Sequence, residues 1–238
     1  KNSGKNKGIK HALTVEQQKA FIEAIRSYPE YYHWYPLFVT LLGTGMRIGE
    51  CVGLTWKDVD FKHRSISVNH SASYYTRDGV ACFAISKPKT EAGIRNIPIM
   101  DTVYDALKNE YDRQKREGFC VYELDGFTGF VFSNKLGSLH NPHCVNLAIK
   151  RIYEAYNSKE IIDAKKEHRE PIIIPHFSCH QLRHTFCSRL CENEVNVKVI
   201  QEIMGHANVE TTLDIYTEVN FSKKQESLEE LSKKMDFF

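Results

Sequence analysis

The amino-acid sequence points to an α+β chain, mainly helical, with a small antiparallel β-sheet. Three features carry that expectation. Apolar residues recur at helical spacing along most of the chain, beginning with Phe21, Ile22 and Ile25. Alternating, β-branched runs are confined to residues 65–99. Helix starts carry their own marks, a capping pattern at Thr14 and Pro142 as a first helical residue. The chain's 238 residues, 42% hydrophobic and 26% charged, are enough for a sizeable core and too apolar for global disorder.

The elements follow in order. Thr14-Val15-Glu16-Gln17 reads as a capping box, with Thr14 as cap and Gln17 reaching back. A second helical segment covers residues 31–42 and stops at Gly43-Thr44-Gly45. A short helix is expected over residues 47–54. Residues 65–70, 80–86 and 95–99 read as strands, with Arg77-Asp78-Gly79 as a turn and residues 88–93 between the last two. Asp101 is placed to cap a helix through about residue 116. Residues 129–133 form a short apolar strand or turn, and Pro142 opens a helix to about residue 156. Residues 158–170, dense in charges of both signs, read as a solvated helix end or loop. Helices are expected at 180–193, 197–204 and 209–216. An amphipathic segment, 222–238, carries Leu228, Leu231 and Met235 on one face.

Organisation and bulk properties narrow the function. Residues 1–12, with Lys1, Lys5, Lys7 and Lys10, read as a basic linker ahead of a domain at 13–220 and a C-terminal segment at 221–238. The sequence does not begin with Met, so a longer parent protein with an upstream domain is expected. The apolar runs fall far short of the roughly 20 residues a membrane-spanning helix needs. No signal-peptide pattern is visible. Seven Cys without a CxxC pair fit free thiols in a reduced, cytoplasmic setting. With 32 Lys and Arg against 30 Asp and Glu, the net charge is +2. Bulk charge therefore says nothing for nucleic acid; a local patch has to carry it.

Four stretches hold chemistry-bearing residues. In Gly43-Thr44-Gly45-Met46-Arg47-Ile48-Gly49-Glu50, Arg47 and Glu50 share a helix face, where the acid can orient the guanidinium. In His180-Gln181-Leu182-Arg183, a His and an Arg share a face at a helix start and can hold an anion together. His206 follows a helix-ending Gly205, and Tyr216 comes ten residues later. Ser86-Lys87-Pro88-Lys89-Thr90, with Arg95 beyond, is a basic hairpin tip able to reach a nucleic-acid groove. Taken singly, each has a bland reading: a surface ion pair, an amphipathic helix, a buried tyrosine, a solvated turn. A zinc site at His180, His184, Cys187 and Cys191 is a poor competitor. Eleven residues of helix span about 16 Å, too far for four ligands of one ion. Position 181 is Gln, where an HExxH site needs Glu.

Together the stretches have one economical use. Two Arg and two His cradle a phosphodiester, a Lys protonates the departing oxygen, and a Tyr attacks phosphorus. Charge that develops on the equatorial oxygens is stabilised by fixed cations, without a metal. The tyrosine, with a pKa near 10, needs a base or a strongly positive field.

The order Arg, Lys, HxxR, His, Tyr resembles the tyrosine recombinase, or phage integrase, family over about residues 12–220. Arg47 lies in GTGMRIGE, Lys89 in a Lys-Thr pair before a strand, His180 and Arg183 in HxLR, His206 in MGHA and Tyr216 in TTLDIY. The stretches PKTEAGIRNIPI and GHANVETTLDIYTEV look most like integrases of conjugative transposons. The resemblance implies an integrase catalytic domain that cuts and rejoins DNA through a 3′-phosphotyrosine, with no cofactor, ATP or metal. It implies Arg47 and Arg183 as phosphate clamps, Lys89 as general acid with Lys87 as its rival, and His180 as base or proton relay. His206 would donate to a phosphate oxygen and Glu50 would support Arg47. Lys87 and Arg95 are expected to touch DNA. Implied partners are double-stranded DNA and further copies of the chain, as a tetramer on synapsed DNA. Accessory DNA-bending or excision factors are also admitted. The segment 221–238 would dock on a neighbouring subunit or on its own domain. A type IB topoisomerase and a non-catalytic DNA-binding relative remain as alternatives. The integrase-like stretches weigh against the first, and the filled chemical positions against the second.

Overall fold

A computed structural model describes residues 12–88, 90–219 and 228. Helix α1 spans Val15–Ser27 and starts with the expected capping box. Thr14 Oγ1 accepts from the Gln17 N–H at 3.2 Å, and Gln17 Oε1 accepts from the Thr14 N–H at 3.0 Å. Ala20, Phe21, Ala24 and Ile25 turn inward. After a 3-10 turn at Tyr32–Trp34, helix α2 (Tyr35–Thr44) runs through the middle of the core, with Leu37 to Thr44 all buried. Phe38 of α2 meets Phe21 of α1 edge to face, centroids 5.3 Å apart. Helix α2 closes on Gly45 at φ +64°, where a Cβ would lie 2.5 Å from the Phe186 ring. Only glycine fits there, on both conformational and steric grounds. Helix α3 (Ile48–Val52) follows at once.

Five strands come next: β1 (Val59–Asp60), β2 (Ser65–Val68), β3 (Ser71–Arg77), β4 (Val80–Ser86) and β5 (Arg95–Pro98). They form two antiparallel sheets where the sequence suggested one, ordered β1-β2-β5 and β3-β4. The run expected over 65–70 divides at Asn69-His70. His70 is buried there, with Nε2 2.7 Å from the Gly53 carbonyl, and the chain sets off again as β3, a strand the sequence reading did not assign. In the first sheet Ile66 pairs with Ile97 and Val68 with Arg95. Ile66, Val68 and Ile97 are buried, so Arg95 faces inward with them. The β3-β4 hairpin turns at Asp78 and Gly79, φ +51° and +77°, the two-residue loop that suits strand twist.

Helix α4 (Asp101–Glu117) begins one residue earlier than expected. Met100 holds the cap position, and Asp101 is already helical, its carboxylate 2.5 Å from Arg64 Nη2. Residues 129–133 bring Phe130, Val131 and Phe132 into the core, Phe130 bridging to Thr55. Helix α5 (Pro142–Lys166) runs well past residue 156. Its charged end is fastened rather than loose. Glu160 accepts from both Nη atoms of Arg169 and from the Ile172 N–H, and Asn157 exchanges two hydrogen bonds with Ile174.

Helix α6 (Cys179–Glu192) and α7 (Val197–Met204) follow, and residues 209–219 form a last helical run. Leu13, ahead of α1, is tied to α6: its N–H donates to Thr185 Oγ1 at 3.0 Å and its carbonyl accepts from Arg189. Two cores result. The larger gathers α1–α6 and the three-stranded sheet. The smaller consists of Phe186, Cys187, Cys191, Ile200 and Met204, with Ile215, Tyr216 and Val219 packed on it. All seven cysteines are free thiols. No helix among the described residues is long and apolar enough to cross a membrane. The linker at residues 1–11 and, apart from Leu228, the C-terminal segment lie outside the described residues.

Candidate active site

The ends of α2 and α7 converge on the starts of α3 and α6, and the chemistry-bearing residues gather there. Arg47 precedes α3. Its N–H donates to Glu50 Oε2 and its Nη1 to Glu50 Oε1, both at 2.8 Å. This is the contact that the i,i+3 spacing foretold. Its Nη2 donates to the Gly205 carbonyl at 3.1 Å. Nearly half of the Arg47 side chain remains exposed.

Arg183, at the start of the second turn of α6, is only 5% exposed. Its Nη1 donates to the Gly45 carbonyl at 2.6 Å and its Nη2 to the Met204 carbonyl at 2.5 Å. Both acceptors are orphan carbonyls at helix C-termini, which carry partial negative charge. Burial, with Arg47 beside it, presses the Arg183 pKa down to about 9, which still leaves it cationic at neutral pH.

Arg95 departs from expectation. Its side chain is 5% exposed, so it is no groove-reaching surface residue. It grips Glu50 with two donors, Nη2 to Oε2 at 2.8 Å and Nη1 to Oε1 at 3.1 Å, and its Nε donates to the Ile203 carbonyl at 2.7 Å. Burial alone would raise the Glu50 carboxyl. The Arg95 hydrogen bonds and charge, then the Arg47 N–H and charge, outweigh burial and hold it below the ordinary carboxylate range. One carboxylate thus ties together α3, β5 and, through Arg95, the end of α7.

His206 follows Gly205, the left-handed end of α7 (φ +62°), and is 8% exposed. Its Nδ1 lies 2.9 Å from Thr212 Oγ1. Burial, then the charges of Arg183, Arg47 and Arg95, push its pKa down to about 4, so the ring is neutral at pH 7. His180 is exposed on the first turn of α6. Tyr216 is half-buried on the smaller core. Lys87 is exposed beyond β4. Lys89 lies outside the described residues.

Arg47, Glu50, Arg95, Arg183 and His206 thus form one cluster. Three guanidinium groups stand against a single carboxylate in it: Arg47 and Arg95 bond Glu50, while Arg183, also buried, has neutral carbonyls as its direct partners among the described residues. Such a surplus of desolvated positive charge is suited to receiving an anion. Sequence reasoning missed the bracing role of Arg95, although alternation with Ile97 signals its inward direction. Thr212 lies in the TTLDIY stretch with no role read for it there, and only the fold brings it to His206. Among the described residues no three His, Cys, Asp or Glu side chains converge as a metal site requires. Cys187 and Cys191 belong to the smaller core.

Most of the chain is similar to known proteins. Residues 11–223 match the phage integrase family. The transposase from transposon Tn916 of Enterococcus faecalis is 32% identical over 229 residues, covering 94% of this chain and 52% of the relative. A XerC-like tyrosine recombinase of Caldanaerobacter subterraneus is 30% identical over 204 residues, covering 82% of this chain and 48% of the relative. The chain therefore spans about half the length of these curated relatives. The Tn1549 transposon integrase, solved in complex with transposon right end DNA, superposes with a TM-score of 0.75 at 33% identity, covering 98% of this chain and 68% of that one. With its arginine cluster held as described and nearly its whole length matched, the chain belongs to the phage integrase family of tyrosine recombinases.

Proposed function

We propose that this chain is the catalytic part of a site-specific DNA recombinase that integrates and excises a mobile element. The observation that carries the reading is Arg183, a buried cation braced by two helix-end carbonyls beside the half-exposed Arg47. A guanidinium offers five N–H donors. The carbonyls of Gly45 and Met204 take two from Arg183, and Glu50 and Gly205 take two from Arg47. The remaining donors of both are assigned to the non-bridging oxygens of one phosphodiester.

The step is an in-line displacement. Tyr216 Oη attacks phosphorus and yields its proton to His180. The bond from phosphorus to the 5′ oxygen breaks as the 3′-phosphotyrosine forms. The 5′ oxygen leaves with a proton from Lys89, for which Lys87 is the competing donor. His206 donates to a phosphate oxygen. Arg47 and Arg183 stabilise the charge that grows on the equatorial oxygens. Glu50 and Arg95 hold Arg47 without touching DNA. A 5′-hydroxyl of a partner duplex reverses the step, so the bond energy is conserved without ATP. The partners are double-stranded DNA and further copies of the chain, assembled as a tetramer on two duplexes. The likeness to the DNA-bound Tn1549 integrase supports the DNA partner.

A nicked duplex carrying the ends of the element tests the reading. The short 5′-hydroxyl strand diffuses away after cleavage, so wild type accumulates a protein–DNA adduct that survives SDS. Tyr216→Phe forms none. An adduct in Tyr216→Phe, or none in wild type, overturns the assignment.

A further inference from the structure

The second half of the His206 hydrogen bond goes unused in the scheme above. Thr212 is fully buried, and its Oγ1 lies 2.9 Å from His206 Nδ1. Thr212 and Tyr216 are four positions apart, so both sit on one side of the same helical run. A buried hydroxyl must place its proton somewhere, because an unmade donor costs roughly 1–3 kcal/mol. Among the described residues, His206 Nδ1 is the hydroxyl's hydrogen-bond partner. Were Nδ1 protonated, it would donate to Oγ1 and leave the Thr212 proton orphaned. With Nδ1 bare, the hydroxyl donates and both groups are satisfied.

A neutral imidazole that accepts at Nδ1 carries its proton at Nε2. No side-chain nitrogen or oxygen among the described residues is both fully buried and without a partner, so Nε2 keeps contact with solvent. The charges that act on the ring among the described residues are those of Arg183, Arg47 and Arg95, which can accept nothing from it. An Nε2–H in that company needs an anionic oxygen.

We propose that Thr212 is a positioning residue: its hydroxyl fixes His206 in the Nε2–H tautomer and so aims a neutral donor at the bound phosphate oxygen. The aim at phosphate rests on the recombinase reading; the tautomer does not. Thr212 does not touch DNA and acts through the ring. It also ties the Tyr216 helix to His206, so the donor and the nucleophile share one register.

Two readouts test this. Long-range proton–nitrogen spectra of the wild-type chain with labelled histidine show His206 with a bare Nδ1 and a protonated Nε2. The opposite tautomer overturns the proposal. In Thr212→Val, which keeps the shape and removes the donor, the single signature gives way to a mixture of tautomers, and Thr212→Ser restores it. An unchanged single tautomer in Thr212→Val overturns the fixing role. On the nicked duplex, Thr212→Val slows single-turnover adduct formation about tenfold, the low end of the loss seen when a group that orients a metal-bound histidine is removed. In a His206→Ala background the same change adds nothing. A further tenfold loss there means a merely structural role and overturns the proposal. If wild type gives the stated tautomer but no adduct, the recombinase reading fails while the tautomer assignment is supported.

Discussion

Glu50 is the residue on which the arrangement of the site turns. It is buried, ionised and shared between an exposed arginine and a buried one. Removing one partner of a buried pair leaves an uncompensated charge, at a cost of about 3–5 kcal/mol. Arg95→Ala is therefore expected to destabilise the chain by roughly that amount in urea unfolding. Arg95→Lys should recover only a fraction, since an ammonium cannot reproduce the two-pronged grip or reach the Ile203 carbonyl at once. Loss below about 1 kcal/mol in Arg95→Ala contradicts the bracing role. Of this cluster, the Arg47–Glu50 contact was legible in the sequence, because spacing on one short helix settles it. Arg95 was not, because its charge was read as surface while its strand partner, Val68, lies far away in sequence. His206 with Thr212 sits between: both belong to motifs, but the bond depends on how the chain turns after Gly205.

Among the elements, the ends of helices α2 and α7 do more than stop. Each ends in a left-handed glycine, and the carbonyls of that corner hold the arginines. Gly205 and Gly79 both have positive φ but differ in surroundings. A Cβ on Gly205 would lie 2.9 Å from Arg95 Nη1 and from the Ala92 carbonyl, whereas one on Gly79 meets nothing within 4 Å. Gly79→Ala is expected to cost about 1 kcal/mol, the conformational penalty alone. Gly205→Ala should cost visibly more in the same urea titration and should slow adduct formation, because it displaces Arg95 and the carbonyl that Arg47 uses. Equal costs for the two refute the crowding argument. Element types were legible wherever a local pattern decides them, as in the Thr14 capping box, the Asp78-Gly79 turn and Pro142. Boundaries failed where distant partners decide. Strand β3 depends on β4 and on the buried His70, and the end of α5 depends on Glu160 meeting Arg169 after the chain has turned.

Among the described residues, burial pushes three imidazoles toward the neutral form, His33, His140 and His206. Burial, then His33, lowers His140 to about 4, and burial with the site arginines does the same for His206. In the unfolded chain His140 and His206 titrate near the ordinary value of about 6.5. Between those limits the unfolded state binds more protons than the folded one, so stability falls as pH drops from about 6.5 to about 4. Urea midpoints measured from pH 7.5 to 4.5 should show this slope, and His140→Gln should flatten it; an unaltered slope in that variant refutes the assignment. The division into two cores was not visible in periodicity, since both use helices of the same kind. The strap at Leu13 joins the two ends of this arrangement. Its N–H and carbonyl are both made fast to α6, the helix that carries Arg183. Tension on the chain ahead of residue 12 is thus delivered straight to that helix, bypassing the sheets, much as a mooring line loads the cleat and not the deck.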